Sequence, residues 1–419
     1  SKLGPLTLQV QPEFVYAQNL PFVSVLTNKP EEILKAYYHT YLNKIDDPER
    51  FGTGSYTKVF AGQSSLRYHF KKLSLGVSTE NLWWGPGVRN ALVMTNNAPG
   101  FLHFTLNTTA PLLSPIGTFE GQVVSGWLKR SGYFPDTTKL IGSERLFVAK
   151  PDDDRYLNGM VFTWQPKWTK GLHLGVSRVY YVYQSNLQHS VNGYLPIIGR
   201  LFKGFGTKED ELKRDEMLSL FFRLVLPNDH AEVYGEFGRN DHSANMRDLL
   251  LEPEHSRAYL FGFKKLFPTN KKNTDLELMG EFTSLQMPST MFVREQESWY
   301  AHYQVVDGYT NRGQVMGAGI GPGSNSQTIG LHWVQGQNNF GFLFERIVHN
   351  NDFYYTAFAS KRDFWNHWVD LSLNLNKSWR HKQYLFDAHL LLNKSLNYHW
   401  EREKDVHYFQ AGFTVSYFF

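Results

Sequence analysis

What most constrains this chain is alternation at period two, with a regular apolar face set opposite a face of ions and amides. In 367–377, Val369, Leu371, Leu373 and Leu375 point one way, while Asp370, Ser372, Asn374 and Asn376 point the other. The same holds in 383–393, where Tyr384, Phe386, Ala388, Leu390 and Leu392 oppose Gln383, Asp387, His389 and Asn393. In 231–238 Val233 and Phe237 oppose Glu232, Tyr234 and Glu236, and in 274–283 Leu276, Leu278 and Phe282 oppose Asp275, Glu277 and Glu281. A soluble sandwich turns its polar face outward. Here the enclosed face would hold the charges, which is inside-out for water and correct for lipid.

Sixteen segments read this way: 6–16, 64–70, 73–79, 101–108, 118–128, 156–165, 172–183, 216–226, 231–238, 256–266, 274–283, 327–334, 339–347, 367–377, 383–393 and 406–418. Short strands around 299–304 and 353–359 would raise the count to eighteen, the number favoured. Short connections (71–72, 166–171, 227–230, 267–273, 335–338, 377–382) alternate with long ones (17–63, 80–100, 129–155, 184–215, 240–255, 284–326, 348–366, 394–405). The expected fold is an all-β transmembrane antiparallel β-barrel of 16–18 strands, a single domain over 1–419. Its short turns are periplasmic, and its long extracellular or lumenal loops carry a few short helices. The sheet is expected to close on itself, since no strand edge can stay unpaired in lipid. The last strand ends Tyr417-Phe418-Phe419, resembling the signal read by the machinery that inserts outer-membrane barrels.

Composition removes the other classes. The 419 residues hold 43 Lys+Arg against 39 Asp+Glu and no cysteine. The charges are scattered, so no nucleic-acid partner is expected. No apolar run approaches the ~18 residues of a spanning helix. The absence of cysteine favours passage through an oxidising periplasm. The opening Ser1-Lys2-Leu3-Gly4 lacks a basic region and apolar core, as expected after removal of a leader.

Within the long loops, Pro30 followed by Glu31 and Glu32 starts an amphipathic helix over 30–46, whose Tyr37, Tyr38 and Tyr41 are expected to pack it onto the barrel. Asp241 is placed to cap a turn through Met246 and Leu249–Leu251, and 208–216 reads as solvated. The inward charges (among them Arg67, Arg223, Glu232, Glu277, Glu281 and Glu345) are expected to pair across the lumen. The run 317–324 reads as a flexible glycine-rich tip.

No phosphate loop, HExxH, EF-hand or CxxC occurs, so no cofactor, catalytic residue or metal site is assigned. Asp241, His242 and His255 are better read as a cap beside surface histidines than as ligands. Ser/His neighbours such as His189-Ser190 face opposite ways on a strand and make a poor nucleophile–base pair. Aromatics inside long loops (Trp83, Trp84, Trp299, Tyr300, Tyr303, Tyr309, Trp365 and Trp368) are more telling, because flat rings pack on the C–H faces of sugars and neighbouring amides and guanidinium groups bond the hydroxyls. Trp83, Trp84, Trp299, Tyr303, Tyr309 and Trp365, with Arg89, Asn96, Asn97 and Arg312, are the candidate polysaccharide-binding residues. The same residue types also pack loops together.

The stretch 80–101, ENLWWGPGVRNALVMTNNAPGF, resembles the signature of the Wzi family of capsule-assembly outer-membrane lectins, and 236–263 resembles a second block of its Bacteroidota branch. The resemblance implies an 18-stranded barrel that binds capsular or other surface polysaccharide and helps anchor or assemble the capsule, without catalysis. Trp83, Trp84, Arg89, Asn96 and Asn97 fall on the motif, and Gly85, Pro86 and Gly87 are read as its structural turn. It also implies a helical bundle at the periplasmic mouth, from which this chain departs by opening on a strand-like segment. Either that bundle has been removed or the 30–46 helix takes some of its place. The partners expected are surface polysaccharide and outer-membrane lipid and lipopolysaccharide, around a monomeric barrel or one within a larger outer-membrane complex. The alternative is a diffusion channel or accessory barrel for solute uptake.

Overall fold

Phe344 stands opposite Leu373, and Glu345 opposite Ser372, in the ladder between Asn338–Val348 and Val369–His381. Phe344 is 47% exposed and Glu345 6%. That inversion runs round the wall. Leu66, Tyr68 and Phe70, Ile329, Leu331 and Trp333, and Phe409 and Phe413 are all exposed, while Ser74, Thr105, Ser219, Thr283, Ser326 and Ser395 are buried. An apolar outer surface enclosing a polar interior is a lipid-facing barrel wall.

The computed structural model describes residues 2–196, 213–240, 246–271, 273–358, 363 and 365–419. Eighteen elements share one sheet. Lys2–Leu3 is a stub on Leu6–Gln9, and His103–Thr108 and Leu112–Ser114 both pair with Gly117–Leu128, so the wall has sixteen strands. Each pairs antiparallel with its sequence neighbours, from Leu6–Gln9 on Ser65–Phe70 to Tyr384–Leu396 on Val406–Tyr417. By that alternation the ends of the ladder, Lys2–Leu3 and Val406–Tyr417, run in the same direction, and no pairing among the described residues joins them. Short turns gather at one end of the wall and long loops at the other.

All sixteen expected wall segments form strands, but the two extra ones do not. Residues 299–304 turn inside the lumen, and the described part of 353–359, up to Phe358, falls on the helix Asn351–Phe358, where Asn350 Oδ1 accepts the Phe353 N–H at 3.0 Å as a cap. Segment 6–16 breaks at Pro12: Leu6–Gln9 stays in the wall, while Glu13–Ala17 leaves it to pair with Tyr56–Phe60. The expected 30–46 helix is Glu31–Tyr37 continued by a wider turn over Tyr38–Leu42. It packs Ile33 into a cluster with Phe353 and Trp400 at the long-loop end, so it does not stand in for a bundle at the periplasmic mouth. Met246–Leu251 is helical, whereas its expected cap Asp241, His242 beside it, and 208–212 of the charged stretch lie outside the described residues.

Candidate functional site

Two loops fold into the lumen and meet there. The first, 79–102, is clamped by carboxylates on the wall. Glu281 accepts the backbone N–H groups of Val88 (2.6 Å), Arg89 (3.1 Å) and Asn90 (2.9 Å), and Glu236 accepts that of Leu92 (3.2 Å). Arg89 reaches Glu345 at 3.2 Å. Trp84 donates its indole N–H to Gln122 (3.0 Å) and Trp83 to the Gly87 carbonyl (2.9 Å). Gly85 has φ +111, and a Cβ there would lie 2.6 Å from Glu236 Oε2, so the Gly-Pro-Gly turn requires glycine at this position.

The second insertion, 285–324, packs on the first. Trp299 donates to the Ser256 carbonyl (3.0 Å), Tyr300 donates to the Leu92 carbonyl (2.7 Å), and the Ala318 N–H donates to the Tyr300 hydroxyl (2.8 Å). Residues 317–324 are thus not a loose tip. Ala318 is fully buried, and a Cβ at Gly317 would meet the Leu92 carbonyl at 2.4 Å. Trp84, Leu92, Trp299, Tyr300 and Tyr309 form one core with inward wall residues such as Leu157, Tyr181 and Leu260. Lumenal charges pair, but with neighbours along the wall rather than across the lumen: Arg67 with Glu80 just past the adjacent strand (2.5 Å), and His332 with Glu277 directly opposite it (3.2 Å).

The plug redistributes the residues singled out for sugar binding. Trp84, Trp299 and Tyr309 are buried, so their ring faces are spent on packing. Asn97 donates to the Val315 carbonyl at 2.9 Å and ties the two loops together, while Asn96 is exposed beside it. Trp83, Tyr303, Arg312 and Trp365 are exposed but dispersed: the Tyr303 ring lies on His302, Arg312 sits over the Phe60 ring, and Arg402 sits over Trp365. His255, expected at the surface, is buried.

The long loops instead enclose a cavity of about 840 Å³ at the outer mouth, and none of those residues lines it. It lies between segments 22–50, 133–150, 319–324, 347–350 and 398–400, with Trp368. Tyr37 and Tyr41 are stacked at 5.3 Å, Tyr37 lies 5.9 Å from Trp400, and Trp400 stands edge-on to Trp368 at 5.1 Å. Trp368 is fixed by its indole N–H to Ser395 Oγ (2.7 Å) and by the His349 ring stacked on it at 4.1 Å. Asp46, Asp47, Glu49, Arg50 and Lys150 supply the polar wall.

The cavity's shape is held by local strain and a few firm bonds. Asn397, His399, Trp400 and Glu403 all have left-handed φ (49°, 59°, 57° and 62°). Such residues cost about 1–3 kcal/mol each and persist only where surroundings over-determine them, commonly at ligand clamps. Here Lys29 holds the coil by donating to the His399 carbonyl (2.7 Å) and to Glu401 (2.6 Å). Asp46 accepts the Ser131 N–H (2.6 Å) and hydroxyl (2.5 Å), Glu49 the Ser24 hydroxyl and Val25 N–H (both 2.6 Å), and Asp47 the Tyr41 hydroxyl (2.6 Å). Burial pushes the Asp47 carboxyl up to about 6 and the Lys150 ammonium down to about 8. Burial, then the Lys29 and Lys404 charges, takes the His399 imidazole down to about 4. A dense Asp-Asp-Pro-Glu-Arg run at 46–50, directly after a helix bearing Tyr37 and Tyr41, is a sequence signal for this site.

A family model described as capsule assembly protein Wzi matches residues 1–385. The chain belongs to the Wzi capsule-assembly family. Among solved structures it is similar to Wzi of Escherichia coli, described as an outer-membrane protein involved in group 1 capsule assembly and a carbohydrate-binding β-barrel. The likeness has a TM-score of 0.62 at 13% identity over 86% of this chain and 71% of that one. The outer-membrane channel DcaP of Acinetobacter baumannii aligns over 89% of both chains at 8% identity and a TM-score of 0.34. No curated protein matches. Within this Wzi-family outer-membrane barrel, the WWGPG motif lies in the clamped plug, and the mouth cavity is built from other loops.

Proposed function

We propose that this Wzi-family barrel holds capsular or other surface polysaccharide in its mouth cavity and so contributes to capsule assembly as a non-enzymatic receptor. The observation that carries the reading is the cavity itself. Half-buried rings of Tyr37, Tyr41, Trp368 and Tyr398 offer apolar faces beside carboxylates that accept hydroxyl protons, at the end of the barrel that bears the long loops. Concave sites with aromatic walls and a few fixed polar groups are the usual form of a ligand pocket, and this volume lies within their range. The E. coli relative described as carbohydrate-binding supports the same reading. The outer wall meets outer-membrane lipid and lipopolysaccharide, and the barrel works as one domain and one copy.

Capsular glycan released from the producing cells, titrated against the detergent-purified chain, tests this. Trp368→Ala and Tyr398→Ala should weaken retention at least roughly tenfold, the weight of an aromatic anchor in a binding site, in protein that still folds in detergent. Wild-type retention in both variants would overturn the site.

A further inference from the structure

Resting on that glycan reading, we infer that the mouth cavity selects neutral, hydroxyl-rich stretches of glycan and turns away uronate-rich ones. The argument is a census of its charged groups. Asp46, Asp47, Glu49 and Asp136 line the cavity against Arg50 and Lys150. The carboxylates are held by neutral donors: Ser131 for Asp46, the Tyr41 hydroxyl for Asp47, Ser24 and the Val25 N–H for Glu49, and the N–H and hydroxyl of Thr138 (2.9 and 2.7 Å) for Asp136.

The two cations are partly committed to protein oxygens. Arg50 donates to the Asn19 and Thr53 carbonyls, and Lys150 to the Ile45 carbonyl (2.5 Å). Of the two imidazoles, His349 faces Asp370 at 3.1 Å, and His399 lies 3.9 Å from Glu49, buried, with burial taking its imidazole down to about 4.

An ionised carboxylate has about four acceptor positions, and each of these uses one or two on its protein partners. Among its charged groups the wall is therefore richer in acceptors than in donors, four carboxylates against two cations. Its complement is a ligand rich in donors, and a sugar hydroxyl is one. A uronate brings a second anion to a wall with net negative charge, where it needs a guanidinium fork or a cluster of N–H groups. The two lining cations are outnumbered two to one by carboxylates and are partly committed to the protein, Arg50 through Nη2 to the Asn19 and Thr53 carbonyls and through Nε to Asn19 Oδ1 (3.4 Å), and Lys150 to the Ile45 carbonyl.

The probe is capsular glycan from the producing cells in three forms: untreated, with its primary hydroxyls oxidised to carboxylates, and oxidised then methyl-esterified. Oxidation should weaken binding to the detergent-purified protein roughly tenfold or more, the scale of like-charge opposition in an interface. Esterification should restore it, and raising the salt should narrow the gap through screening. Glu49→Gln or Asp47→Asn should each raise affinity for the oxidised form towards that of the untreated one. Equal binding of untreated and oxidised glycan, or no recovery on esterification, overturns the selectivity and leaves the receptor reading standing. Failure of the untreated glycan to bind removes the receptor reading and this one with it.

Discussion

The Glu281 carboxylate, on the inward face of a wall strand, accepts the backbone N–H of Asn90 at 2.9 Å from the loop that plugs the lumen. The Val88 and Arg89 N–H groups share it, at 2.6 and 3.1 Å, so one side chain satisfies three successive donors. Stranding a buried donor costs about 1–3 kcal/mol. Glu281→Ala should therefore lower stability by about 3 kcal/mol or more and free the loop. Two measurements check it: the detergent-phase unfolding temperature should fall, and trypsin should cut after Arg89 faster than in the wild type. A plug held equally firmly without Glu281 would show neither.

Trp299 lies against the Cα of Gly238, where an added Cβ would come within 2.5 Å of its ring. Gly238→Ala should cost about 1–3 kcal/mol, the range for overpacking a filled core. Trp299→Phe removes the part of the ring that collides. The double variant should thus be more stable than the two single losses added together, read as a coupling in thermal unfolding.

These two contacts also show where legibility stopped. The wall could be read residue by residue because lipid enforces a strict period: Phe342 and Phe344 face out while Leu343 and Glu345 face in, as the alternation required. No such rule governs the loops. Trp84 and Trp299 carry the ring chemistry of a sugar platform, and only burial reveals that they serve the plug. A clue did lie in the wall, since Gly159 and Gly238 leave inward positions open for those rings. The mouth site escaped for another reason. Tyr37, Asp47, Trp368 and Trp400 come from three separate loops, and no spacing in the chain brings them together.

Asp47 makes stability depend on pH in a direction opposite to the usual carboxylate. Burial pushes it up to about 6, so the folded protein holds this proton more tightly than the unfolded chain. The group is neutral and harmless at low pH, and its cost appears as pH rises from about 4 through about 6. Asp47→Asn keeps an acceptor for the Tyr41 hydroxyl and removes the buried charge. The variant should be more stable than wild type at pH 7.5 by up to about 2 kcal/mol, with the advantage shrinking at pH 5. Unfolding temperatures of the two proteins at both pH values decide it; an advantage that grows on acidification would contradict the assignment.

The orientation of the wall can be tested without any ligand. Phe342 and Asn374 lie on adjacent strands, Phe342 outward and exposed, Asn374 opposite Leu343 on the inward side. An arginine at either position adds the same charge and a similar bulk, so any difference between them comes from what surrounds the side chain. On the lipid side near mid-strand it must enter hydrocarbon, at about 2–4 kcal/mol. On the inward side it joins Asn376, Ser372 and their hydrogen-bonded neighbours, where polar partners are at hand. Phe342→Arg should therefore reduce folding into lipid vesicles and the stability of the inserted protein, while Asn374→Arg has a clearly smaller effect. The contrast should vanish in urea-unfolded protein, where neither residue has a side to face. A larger loss at Asn374 would mean that the greasy strand faces pack against protein, and the barrel reading would fail with it.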